Sequence, residues 1–150
     1  MKLLTALGAS ILLGFAAEAM SQCAPPNQLL TGDEIRVLLS GKRVFAIAPS
    51  SETWNEDHCP VAGAARSSLY KVGDGTPVDP RALKGSWRVL GTGNQNDSLV
   101  EYTYTGASAD LVYQWQMRKT TGSSPTYYFC NGAVLVATLT SNAGSTGSCP

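Results

Sequence analysis

The chain has 150 residues and a mass of 15.8 kDa, the size of one domain, and only 15% of its residues are charged, against roughly 25% in average soluble chains. Its 11 Lys and Arg balance 11 Asp and Glu, so no cationic excess or basic run points to nucleic acid or to an anionic membrane. With 15 Gly and 8 Pro to supply turns, these numbers exclude a coiled coil, a disordered tail protein, a basic nucleic-acid binder and a multi-domain enzyme.

Met1-Lys2 forms a short positive start, and Leu3 to Ala17 is an uncharged apolar stretch below the roughly 20 residues that span a membrane. Ala17-Glu18-Ala19 places small residues three and one before a cut, so a signal peptide over residues 1–19 is expected, with residues 20–150 as a single domain. Acylation of Cys23 is not expected, because Gln22 stands where a small residue is required. The product is then periplasmic or secreted, with no membrane span. Export makes Cys23, Cys59, Cys130 and Cys149 two disulfides rather than a metal site or redox pair, and no Cys-x-x-Cys occurs. Of the three pairings that four cysteines allow, Cys23–Cys149 with Cys59–Cys130 is favoured. It would staple a proline-rich N-terminal tail to a Gly/Ser-rich C-terminal tail, both prone to fray.

Residues 23–30 read as an extended lead-in, since consecutive prolines exclude a helix. Thr31-Gly-Asp-Glu34 is a capping box, Leu30 and Ile35 stand at hydrophobic-staple positions, and Ile35, Leu38 and Leu39 form one apolar stripe that Gly41 ends. One short helix is predicted there, lying as a plug on something else. Val44–Ala48 is a first strand, residues 49–66 read as a long loop, and Ser68–Val72 is a second strand before a turn-rich passage up to Leu83. From Gly85 the alternation is regular: Trp87/Val89, Val100/Tyr102/Tyr104 and Leu111/Tyr113/Trp115/Met117. Tyr127–Cys130 and Ala133–Thr140 follow, joined at Asn131-Gly132, a dipeptide favoured in type I′ hairpin turns. Short connections force antiparallel neighbours in sequential order. The parts suit a small antiparallel up-and-down β-barrel of seven to eight strands, which leaves no exposed edges; a β-sandwich is the alternative.

The helix ending in Leu39-Ser-Gly-Lys42, Gly85-Ser-Trp87 opening a strand, and the Tyr/Trp-rich meander with Cys130 resemble small exported bacterial domains of calycin-like (lipocalin-like) type. That resemblance implies a barrel that binds something.

Residue chemistry offers little for catalysis. His58 is the only histidine, and Glu56-Asp57-His58 with Cys59 beside it is the one polar cluster worth testing. A base adjacent in sequence to its thiol is poorly placed, an oxidised Cys59 cannot attack, and structural zinc takes four ligands, so a solvated charged loop is the plainer reading. Gly91-Thr-Gly93 lacks the lysine and helix of a phosphate loop, and Asp74, Asp79, Asp97 and Asp110 sit in or beside turns. Glu101 falls on the outward face of its strand. No catalytic residue, metal ligand or cofactor is assigned. Trp87, Tyr102, Tyr104, Tyr113 and Trp115, with Tyr127 or Phe129, fall on successive strands and would either fill a barrel or line an apolar pocket. The function read from the sequence is a non-enzymatic, monomeric binding protein for a small apolar ligand. The alternative is a secreted protein-interaction module, such as a hydrolase inhibitor or an envelope-associated partner.

Overall fold

The computed structural model describes residues 22–62, 65–73, 81–91, 98–144 and 149. The expected leader and its cleavage site, and Asp74, Pro77, Asp79, Pro80, Thr92, Gly93 and Asp97, lie outside the described residues. In chain order the elements are β1 (Gln28–Leu29), α1 (Gly32–Leu39), β2 (Lys42–Ile47), β3 (Thr53–His58), β4 (Ser67–Lys71), β5 (Ala82–Leu90), β6 (Leu99–Tyr104), β7 (Leu111–Lys119), β8 (Tyr127–Asn131) and β9 (Val134–Gly144).

From β2 to β9 each strand pairs antiparallel with the next, and β9 returns to pair with β2 from Lys42↔Gly144 to Ile47↔Thr138. The result is a closed eight-stranded up-and-down barrel with one short helix, not a sandwich. Period-two alternation explains its inside and outside. Val44, Ala46, Leu69, Trp87, Val89, Val100, Tyr102, Met117, Phe129, Ala137 and Leu139 share one buried core with Leu30, Ile35, Leu38 and Leu39. Charged residues such as Arg66, Arg88 and Glu101 take the outer face. Among the described residues, no helix is long and apolar enough to cross a membrane.

The capping box forms as predicted. The Glu34 amide donates to Thr31 Oγ1 at 3.2 Å, and the Thr31 amide donates to Glu34 Oε2 at 2.8 Å. Leu30 and Ile35, the staple pair, are both buried. Helix α1 lays its apolar face across one end of the barrel, where Lys119 Nζ reaches Glu34 Oε1 at 2.6 Å and Asn142 Nδ2 donates to the Leu38 carbonyl at 3.1 Å. The Lys119 contact, with the Thr31 backbone, holds the Glu34 carboxyl below its ordinary range.

Four expectations about the elements change. Residues 53–58 are a strand, β3, not part of a long loop: Ala48–Glu52 makes a tight hairpin, with Ser51 at φ 69° and its amide donating to the Ala48 carbonyl at 2.9 Å. The lead-in turns before it extends, with the Asn27 amide donating to the Ala24 carbonyl at 3.1 Å. Strand β5 begins at Ala82, before Gly85. A bulge shifts its register against β4 between Leu69 and Tyr70, which hides the alternation there. In the last hairpin Asn131 pairs with Val134, so Gly132 (φ 59°) and Ala133 are the central residues. Only the first carries a positive φ, the pattern of a II′ rather than a I′ turn.

The favoured disulfide pairing is also corrected. Cys23 bonds Cys130 (Cα–Cα 5.7 Å), and Cys59 bonds Cys149 (Cα–Cα 5.5 Å). Cys130 faces outward on β8 and is buried with Tyr128 and Cys23 in a small satellite cluster, where the N-terminal segment crosses the outer wall. Cys59 follows His58 at the helix end. There His58, Lys42 and Gly144 are aligned across β3, β2 and β9, so the C-terminal tail is delivered to Cys59. Two formed disulfides are compatible with an oxidising compartment.

Candidate aromatic cup at the open end of the barrel

Helix α1 covers one end only. At the other, the inward faces of the strands continue past the packed core into an open cup of about 730 Å³, walled by Trp54, Tyr104, Tyr113 and Trp115 with Leu111 and Val136. The Ala48–Glu52 hairpin forms one side of its rim.

All five aromatic residues singled out from the sequence face inward. Register shows why: Trp87 pairs with Tyr102, Tyr102 with Tyr113, and Tyr104 with Leu111, and directly paired residues share a face. They divide by depth. Trp87 (0% exposed) and Tyr102 (2% exposed) fill the core, and Trp87 Nε1 donates to the Cys59 carbonyl at 3.0 Å. Tyr104 and Trp115 are half-buried, and Tyr113 is 41% exposed. The expectation that the Trp115 indole is largely buried is therefore corrected to half-buried, because β7 runs out toward the cup at that level. Its register stands, since Gln114 lies outside and donates to Glu101 Oε2 at 2.6 Å. Phe129 packs in the core and Tyr127 against its edge at the helix end, away from the cup.

Ring contacts make the wall continuous. Trp54 and Trp115 lie 6.1 Å apart between centroids, Tyr113 and Trp115 5.5 Å, and Tyr104 and Tyr113 5.9 Å. Beneath them the remaining cavity is about 10 Å³, room for at most one water.

Between core and cup lies a polar layer that hydrophobic alternation could not reveal. Trp54, Glu56 and His58 form the inward face of β3. His58 Nε2 and the Tyr102 hydroxyl are 2.9 Å apart, and the Tyr104 hydroxyl donates to Glu56 Oε2 at 3.2 Å. The Glu56 carboxyl is 9% exposed, and burial raises its pKa to about 7 despite the Tyr104 hydrogen bond. Burial lowers the His58 pKa to about 4, only partly opposed by the Glu56 backbone and the Asp57 charge. His58 Nδ1 lacks a partner of good hydrogen-bond geometry. The Tyr104 hydroxyl is pushed above its ordinary range by burial first and by the neighbouring Glu56 second.

Asp57 points the other way. On the outer wall it accepts from Arg43 Nε at 2.9 Å, from Arg43 Nη2 at 3.3 Å and from Arg81 Nε at 2.7 Å, while the Arg81 guanidinium lies 3.8 Å over the Tyr70 ring. Glu56, Asp57 and His58 thus do not converge on one point, and the solvated-loop reading of this segment is replaced by two buried networks on opposite faces of one strand. Glu101 faces outward as expected. It is nevertheless buried, accepting from Arg66 Nη2 at 2.5 Å and Arg88 Nε at 2.8 Å.

A second cleft of about 530 Å³ adjoins the cup across Trp54 and Tyr104, and includes Lys71 and Lys84. Chemically the cup offers aromatic and aliphatic surface with one charged residue, Glu52, at its rim, while Glu56 lines the adjoining cleft. Comparison with protein-family models, with curated proteins and with solved structures finds no match.

Proposed function

We propose that the protein is an exported binding protein that holds a small, largely apolar ligand in the cup. One observation carries this reading: an open cup of about 730 Å³, within the usual size range of small-molecule sites, is lined by four aromatic side chains. The residues on which it depends are Tyr104, Tyr113 and Trp115, joined by Trp54. Trp87 and Tyr102 support them from below. The resemblance to calycin-like domains likewise implies a barrel that binds something. Export rests on the leader read from the sequence, and the two disulfides agree with it. The alternative of a protein-interaction module is favoured by the exposed apolar side chains outside the cup, Val37, Leu83, Val112 and Val134. Trp54, which that reading would place on an exposed loop, is instead part of the cup wall.

Titration with the neutral fluorophore N-phenyl-1-naphthylamine tests the proposal. Saturable enhancement in the wild type is expected, with affinity about tenfold lower in Trp115→Ala, as for removal of a central aromatic anchor. No saturable binding, or binding indifferent to that substitution, would contradict it.

A further inference from the structure

We propose that the cup selects an organic cation, a substituted ammonium with apolar or aromatic arms. This inference rests on the reading of the cup as a ligand site and adds the charge of the ligand. Two observations lead to it. The first is the band of rings formed by Trp54, Trp115, Tyr113 and Tyr104, with tilts of 32° and 30° at the two junctions of Trp115 and a steep 69° between Tyr104 and Tyr113. Wherever a ring face borders the cup, its negative quadrupole attracts a cation and repels an anion.

The second is the charge inventory. Among the described residues the only charged side chain lining the cup is Glu52, on the hairpin that forms its rim, and no Lys, Arg or His lines it. Glu56 does not line the cup; it accepts from the Tyr104 hydroxyl and lines the adjoining cleft. Lys71 and Lys84 line the adjoining cleft, which shares Trp54 and Tyr104 with the cup. A neutral ligand would gain from the rings but nothing from the Glu52 carboxylate. An anion would enter against Glu52 with no counter-charge in the cup.

Calorimetric titration of the intact protein at pH 8 and low ionic strength separates these cases with three probes: benzyltrimethylammonium, its neutral isostere neopentylbenzene, and phenylacetate. The ammonium should bind about tenfold tighter than the isostere, and phenylacetate weakest. Glu52→Gln, a change at an exposed rim position, should weaken the ammonium about threefold and leave the isostere unaffected. Equal affinity for ammonium and isostere, or preference for phenylacetate, would overturn the cation assignment while leaving the cup as a ligand site. Failure of all three probes would overturn both.

Discussion

Two buried residues of opposite character, Glu56 and His58, sit two positions apart on the inner face of β3, and their linkage to pH has opposite sign. The native Glu56 carboxyl keeps its proton up to about pH 7, whereas the unfolded one releases it near 4.5. The native state therefore binds more protons in that window, and this group's contribution makes stability fall as pH rises through it, by about 3 kcal/mol in all. His58 behaves in reverse. Its native ring gives up its proton near pH 4 against 6.5 when unfolded, so its contribution makes stability rise with pH between those values. Over the shared range the two largely offset one another. Glu56→Gln, which can still accept from Tyr104, should be near neutral at pH 4.5 and more stable than wild type by up to about 3 kcal/mol at pH 8. Denaturant melts at the two pH values check this; a difference independent of pH would contradict it. Depth within the barrel gives a second residue-level expectation. Trp87→Ala, in the packed core with its indole N–H bonded, should cost about 4–5 kcal/mol, and half-buried Trp115→Ala about 2 kcal/mol. Comparable losses would mean that the cup is closed in solution. The inward aromatic residues were legible because alternation marks them. Glu56 and His58 were not, because an inner face that reads Trp-Glu-His has no hydrophobic period. What marks β3 is its preceding Ala48-Pro-Ser-Ser51, a turn signal that fits a tight hairpin better than a long loop.

At the scale of elements, local signals proved reliable where they were self-contained. The capping box needs only four residues to specify itself, and α1 starts where it says. Thr31→Ala should remove the acceptor for the Glu34 amide and cost about 1 kcal/mol, with the barrel still closed. Unchanged melting in that variant would show that Lys119–Glu34 and the buried staple hold the helix without the cap. Elements whose definition depends on a neighbour were harder to read. The start of β5 is masked by a bulge that exists only in its pairing with β4. At that bulge Gly85 takes φ 154°, and a Cβ there would lie 1.8 Å from the Thr103 carbonyl oxygen, so this glycine is set by the approach of β6 rather than by a local turn. The disulfides are a similar case. Each tail carries a disulfide, but to the barrel wall instead of to the other tail. Which wall each meets follows from the alignment of His58, Lys42 and Gly144 and from the outward face of β8, and neither can be read along the chain.

For the whole molecule, the closed barrel follows from sequential short connections plus the need to pair two edge strands, and the eighth strand is β3. Closure produces a body with two unlike ends. One is sealed by α1 over an aliphatic core. The other opens as a ring-walled cup above a thin polar layer in which the remaining cavity is about 10 Å³. That asymmetry is the central claim, and the chain's three tryptophans report on it separately: Trp87 in the sealed part, Trp54 and Trp115 in the cup wall. The direct measurement is NMR of the three indole N–H resonances, each assigned by substitution, during titration with benzyltrimethylammonium and then with neutral benzyl alcohol. Saturable shifts of Trp54 and Trp115 with at least one probe, while Trp87 holds still, are predicted; stationary Trp54 and Trp115 resonances under both probes, or a Trp87 shift as large as theirs, would contradict the account.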